Sequence, residues 1–170
     1  MYVRMADNGD RAVAVALLVR EWGDPIVVRS QVYPIDECDI FIAGEFEGIA
    51  AVSVRDRPIA ELVAITAFVR YQGIGSALLQ SIVAGLEGFA LLRLTTTSDN
   101  VDALRFYQRR GFRLQALRPD AVAATRLHKP SISVVGQHGI PIRDELDLTL
   151  ELRTLGGRGR TLKAAIARAK

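Results

Sequence analysis

The sequence predicts a mixed α/β sheet protein, and three observations carry that prediction. Ile74, Leu78, Ile82 and Leu86 recur at the four-residue spacing of a helix face. Leu146, Leu148, Leu150 and Leu152 alternate with polar residues, as in a half-buried strand. Between and before them, strand-like and helix-like runs follow one another, an order typical of a sheet covered by helices.

Taken in order, Tyr2–Ala6 reads as a strand. The Asp7-Asn8-Gly9-Asp10 cluster then prepares a helix over Arg11–Trp22, with Val13, Leu17, Leu18 and Trp22 near helical spacing, and Gly23-Asp24-Pro25 ends it. Pro25–Ile35 holds the β-branched run Ile26-Val27-Val28 and a connection containing Pro34. Asp39–Phe46 and Ile49–Val54 flank the turn Glu47-Gly48, a hairpin signal. Ile59–Phe68 is a strand, the Ile74 helix follows, and Leu91–Thr97 is a strand whose threonines suit β structure. Val101–Arg110 reads as a helix stopped by Gly111, and Phe112–Leu117 begins another strand. The 118–144 segment is a long connection with Pro119, Pro130, Gly136, Gly139 and Pro141, within which Asp120–His128 fits a short helix.

A length of 170 residues suits one domain, and 49% hydrophobic with 24% charged residues excludes a disordered or fibrous chain. The apolar runs are too short to cross a bilayer, and Met1–Met5 lacks the pattern of a secretory leader, so a cytoplasmic protein with no membrane partner is expected. Cys38 stands alone, which excludes an intrachain disulfide. His128 and His138 lie ninety or more residues from it, so neither a paired thiol nucleophile nor a metal site is expected. The net charge of +3 hides an asymmetry. Arg153, Arg158, Arg160, Lys163, Arg168 and Lys170 close the chain without an acid, and without them 16 basic residues face 19 acidic ones. Residues 153–170 therefore read as a basic, flexible tail, compatible with a helix over Thr161–Lys170 behind a Gly-rich linker. Six cations bind phosphates non-specifically, but no aromatic residue is interleaved among them, so a nucleic-acid partner is not expected.

The segment Arg70-Tyr71-Gln72-Gly73-Ile74-Gly75-Ser76 sits between a strand and a helix, where backbone N–H groups are not yet used within the helix. Such a turn binds phosphate or pyrophosphate, glycine lets the anion approach, and Arg70 and Ser76 add a cation and a hydroxyl. The same turn in isolation is also explained as glycine serving geometry. No lysine is present for a P-loop, and Leu78 stands where a dinucleotide fingerprint needs its third glycine. Asn100 and Tyr107, seven apart, point along one helix face; alone they also read as an N-cap and a core tyrosine.

Together the two segments resemble the GNAT superfamily of N-acetyltransferases: Arg70-x-x-Gly73-x-Gly75, then Asn100, Ala103, Phe106-Tyr107 and Gly111-Phe112. The resemblance is specific over Ile59–Phe112 and covers about residues 1–152 in element order, with 118–144 as a long insertion. Tyr71 stands where the family often has glycine. The resemblance implies a mostly antiparallel central sheet flanked by helices, with a splayed strand pair for the cofactor. It further implies acetyl-CoA as donor, its pyrophosphate on residues 70–76, its pantetheine arm along Val63, Ala64 and Ile65 and against Asn100 and Ala103, and Tyr107 near the sulfur.

Transfer to an amine needs a neutral nitrogen, yet a lysine-type amine has a pKa near 10.4. Glu61 is the candidate base, from its resemblance to the base of the histone-acetylating branch; its other reading is a surface glutamate on an edge strand. The branch that acetylates ribosomal-protein N-termini has a glutamate five residues before the asparagine, and here that position is Thr95. The Ile65 N–H is the candidate donor to the oxyanion, and Trp22, Arg29 and Tyr33 are candidate lining residues of the acceptor pocket. The expected acceptor is a small-molecule or peptide amine, and a homo-oligomer is compatible with the sequence. A CoA-binding domain without turnover and a nucleic-acid module acting through the tail stay open as alternatives.

Overall fold

The computed structural model describes residues 1–152, so the expected basic tail lies outside the described residues. In chain order the elements are β1 (Val3–Met5), α1 (Arg11–Trp22), β2 (Ile26–Val28), β3 (Gln31–Tyr33), β4 (Asp39–Ala43), β5 (Gly48–Ser53), β6 (Ile59–Ala67), α2 (Ile74–Gly85), β7 (Leu91–Thr97), α3 (Val101–Gln108), β8 (Arg113–Arg118), α4 (Ala121–His128) and β9 (Glu145–Glu151). Seven strands form one sheet in the order β1-β4-β5-β6-β7-β9-β8, and β2 with β3 makes a separate hairpin. Within the large sheet only β6 and β7 run parallel. A parallel pair cannot be joined by a tight turn, and α2 supplies its crossover.

Strand alternation sorts side chains to two faces. Leu92 and Leu94 of β7 and Leu148 and Leu150 of β9 face α2 and α3, in a core with Leu78, Ile82, Tyr107 and Phe112. The opposite face packs α1 and the β2–β3 hairpin through Ala14, Leu18, Ile26 and Tyr33. The face of α1 is partly the one its spacing suggested: Leu18 is buried and Leu17 half-buried, but Ala14 completes the buried face while Val13 and Trp22 are exposed. Where α2 crosses the sheet, Gly48 admits it, because a Cβ there would lie 2.3 Å from Ile74 Cγ2.

The β6–β7 ladder is short. Its pairs are Ile59 with Leu91, Ala60 with Leu92 and Glu61 with Arg93, and there it ends although both strands continue. On the other side β6 stays paired with β5, but Leu62 faces Val52 and Ala64 faces Ala51, which leaves Val63 as an extra, bulged residue. A bulge bends its strand and increases local twist, and here it sits where β6 turns away from β7. The expected splayed pair is thus present, built from a bulge that the residue pattern does not announce.

Candidate active site

The turn leading into α2 is exposed from Val69 to Gly73. Gly73 adopts φ 77°, and no atom lies within 4 Å of where its Cβ would stand. The first α2 bond is Ala77 N–H to Gly73 O at 3.0 Å, and no side chain caps the helix. The amides of Ile74, Gly75 and Ser76 therefore have no acceptor among the described residues, which is the arrangement that receives an anion at a helix start. Tyr71 is also left-handed, at φ 64°, with its ring 99% exposed. That conformation costs an L-residue about 1 kcal/mol and explains why a glycine is natural at this position. Arg70 and Gln72 are exposed beside it.

Gly75 has a packing task besides the one expected. Its Cβ would meet the Phe106 ring at 3.2 Å, so the glycine lets α2 and α3 approach. Ser76 is also engaged, accepting a hydrogen bond from Arg110 Nη2. The Arg110 guanidinium stacks 3.7 Å above the Phe106 ring, and its Nε–H is buried without an acceptor among the described residues. This second cation beside the turn was missed in the sequence; its signal is an arginine four residues after an aromatic one at the end of a helix.

Across the splay, Asn100 Oδ1 accepts the Ala103 N–H at 3.3 Å as the N-cap of α3, and its Nδ2 donates to Thr96 Oγ1 at 3.3 Å. Ala103 packs against the core beside Tyr107. The Tyr107 ring is buried edge-on between Phe106 and Phe112, with centroids 5.1 and 5.4 Å away. Burial pushes its phenol well above the ordinary value, so it stays protonated as a donor. Val63 and Ala64 are buried toward α1, and Ile65 is half-buried toward α2.

Glu61 departs from both expectations. It is 3% exposed rather than on an edge, and both its oxygens are taken. Arg29 reaches from the β2–β3 turn to place Nη1 2.9 Å from Oε1 and Nη2 3.0 Å from Oε2. Arg93, its cross-strand neighbour, adds Nε at 2.7 Å from Oε2. With both oxygens bonded to guanidiniums, neither is free to face an acceptor amine, so the geometry speaks against Glu61 as the base. Arg29 also bonds Tyr33 Oη and Thr95 Oγ1, so Arg29 and Tyr33 belong to this network. Trp22 stands apart from it, donating Nε1–H to Thr66 Oγ1 at 2.8 Å. Cys38 is buried with its thiol pushed up to about 11 by burial, which leaves it inert. Among the described residues no group of three or more His, Cys, Asp or Glu side chains is placed to hold a metal.

The family model for the acetyltransferase (GNAT) domain matches residues 36–114. The uncharacterized protein YdhI of Bacillus subtilis strain 168 is 37% identical over 134 residues, covering 75% of this chain and 83% of that protein. The chain belongs to the GNAT acetyltransferases. YxbD of the same organism is 33% identical over 144 residues, covering 81% of this chain and 91% of its own length. Among solved structures, the IAA acetyltransferase of Bacillus cereus ATCC 14579 superposes with a TM-score of 0.69 at 20% identity, covering 89% of this chain and 99% of that one. A GNAT family acetyltransferase from Elizabethkingia anophelis, solved with acetyl-CoA bound, gives 0.66 at 19% identity over 89% and 97%. These likenesses show that the fold is shared.

In this GNAT chain the face of the sheet toward α1 carries a second charged group. Asp147 on β9 accepts from Arg118 Nη2 at 2.6 Å and from Thr95 Oγ1 at 2.7 Å. Burial alone would raise its carboxyl, but the Arg118 and Thr95 donors outweigh it and hold it below the ordinary range. Its contribution to stability is thus present above the unfolded value of about 3.9 and is lost as pH falls through the lower folded value. Urea midpoints measured between about pH 2 and about pH 6 should fall toward acid in the wild type, and less steeply in Asp147→Asn. No helix among the described residues is long and apolar enough to cross a membrane.

Proposed function

We propose that this GNAT chain transfers an acetyl group from acetyl-CoA to a primary amine of a small molecule or peptide, by direct attack in a ternary complex. The observation that carries this reading is the parting of β6 from β7 just beyond Glu61 and Arg93, on the strand that leads into an uncapped α2 N-terminus. One feature offers an unpaired strand edge and the other a row of free amides. A long cofactor with a polar arm and a pyrophosphate fits both.

In this reading the amides of residues 73–76, with Arg70 at the rim, hold the pyrophosphate, and Val63, Ala64 and Ile65 line the arm. Asn100 and Ala103 shape the far wall. The Ile65 N–H stabilises the oxyanion of the tetrahedral stage, and the Tyr107 hydroxyl donates to the departing thiolate. The test is release of free CoA by the full chain over a panel of primary amines. Tight acetyl-CoA binding with no release on any amine would favour the non-catalytic alternative, to which the capture of Glu61 lends weight. For Tyr107→Phe, kcat should fall by about 10²-fold with little change in acetyl-CoA affinity, since the ring and its packing are kept. An effect confined to KM would reduce Tyr107 to holding the cofactor.

A further inference from the structure

With both Glu61 oxygens engaged by Arg29 and Arg93, the acetyl-transfer reading lacks a group to take the proton of the acceptor ammonium. Glu145 at the start of β9 is 4% exposed, and its Oε1 accepts the Thr125 hydroxyl of α4 at 2.6 Å. Its Oε2 is buried with no hydrogen-bond partner. A buried carboxylate oxygen without a donor is costly, so such an orphan calls for a partner that arrives from elsewhere. Asp99 has an orphan oxygen as well, but it immediately precedes the N-cap of α3 and accepts the Gln137 N–H, which accounts for its charge.

The position of Glu145 separates it from an ordinary buried acid. It pairs across the ladder with Thr97, and Asp147, two residues on, pairs with Thr95. Thr95 contacts Arg29 and Asp147, so this is the face that carries Glu61, toward α1 and the β2–β3 hairpin. Beyond the last β6–β7 pair, Glu61 with Arg93, the two strands part, and Ile65 of β6 and Thr97 of β7 both lie past that point. Glu145 therefore stands one strand from Thr97, past the point where β6 and β7 part, on the face opposite α2 and the phosphate turn.

We infer that Glu145 is the proton acceptor for the amine, its Oε2 receiving an N–H of the acceptor. The inference rests on the acetyl-transfer reading above. The ammonium gives one proton to Oε2, and the freed nitrogen lone pair attacks the thioester carbon. The C–N bond forms, the C–S bond breaks, and sulfur leaves with the bonding pair. A second amine proton ends on that sulfur, and Glu145 returns its proton to solvent. The groups around Glu145 are Asp147 on its own strand, held by Arg118, and Arg118 opposite it on β8. Thr97 of β7 and Thr125 of α4 are uncharged, and Arg126 of α4 turns its guanidinium to the carbonyls of Ile132, Ser133 and Ile142.

The test is kcat/KM for acetyl transfer by the full chain between about pH 6 and about pH 10, on an amine active in the panel, for wild type and Glu145→Gln, with acetyl-CoA affinity measured alongside. The expected result is a loss of about 10²-fold near neutral pH with unchanged acetyl-CoA affinity. That loss should shrink as pH approaches the amine's own pKa of about 10.4, because solvent then supplies the neutral amine. A loss equal at every pH would mean a structural role, and no loss would mean that the orphan oxygen holds water only; either overturns the assignment. If Glu145→Gln does not fold, Glu145→Asp decides: the shorter side chain draws the carboxylate back from the amine, so kcat/KM near neutral pH should fall by about 10²-fold with acetyl-CoA affinity unchanged, and full activity overturns the assignment. Wild type that releases no CoA with any amine defeats the transfer reading itself, an outcome distinct from active wild type with an indifferent Glu145→Gln.

Discussion

Glu61→Gln should destabilise the fold by about 3–5 kcal/mol, the size expected when one partner of a buried ion pair is removed and the other charge stays. Arg29 and Arg93 would be left facing each other, with side chains only 8% and 26% exposed, across an amide that carries no charge. Arg29 also ties the β2–β3 hairpin to the sheet, so its release should loosen that hairpin. The strain there is visible: Arg29 and Ser30 both have positive φ, 51° and 58°, in a turn that lacks the usual asparagine or glycine. Urea unfolding of the variant against wild type gives the stability change. The same preparation separates structure from catalysis, because a structural Glu61 predicts that acetyl transfer per folded molecule survives. A variant as stable as wild type that has lost transfer would restore Glu61 as the base.

Gly73→Glu should abolish acetyl-CoA binding, and Gly73→Ala should not. Both variants place an L-residue at φ 77°, which costs about 1 kcal/mol, and neither meets an obstacle, since nothing lies within 4 Å of the new Cβ. They differ only in the carboxylate set among the free amides at the start of α2. There it competes for the donors and repels a phosphate about 4 Å away by about 4 kcal/mol at an effective dielectric of about 20, roughly a thousandfold in Kd. Calorimetric titration of both folded variants with acetyl-CoA measures the difference. Equal affinities would remove the pyrophosphate from this turn.

Much of this protein is a matter of near neighbours, and that part is legible in the residues. The apolar spacing of Ile74, Leu78 and Ile82 is the buried face of α2, and the alternating leucines of β9 are its core side. A glycine turn between strand and helix, with Asn100 and Tyr107 following on the next helix, suffices to identify the family and the sheet it builds. These signals lie within one turn or one strand, where backbone geometry sets the spacing.

The tertiary structure decided what each charged or special residue does. Glu61 reads as a base until Arg29 and Arg93, each 32 residues away in sequence, close on it from a hairpin turn and a neighbouring strand. Gly75 gains a packing task when α3 brings Phe106 against it, and Val63 becomes the bulge of β6 because the β5 register leaves it unpaired. Glu145 reads as the first residue of an alternating strand; only the tertiary structure bonds one of its carboxylate oxygens to Thr125 of α4 and leaves the other buried without a donor. Periodicity is local and survives in the sequence, whereas the protonation and pairing of a carboxylate depend on which distant cations and which solvent reach it. That is set by strand register and by what covers the sheet.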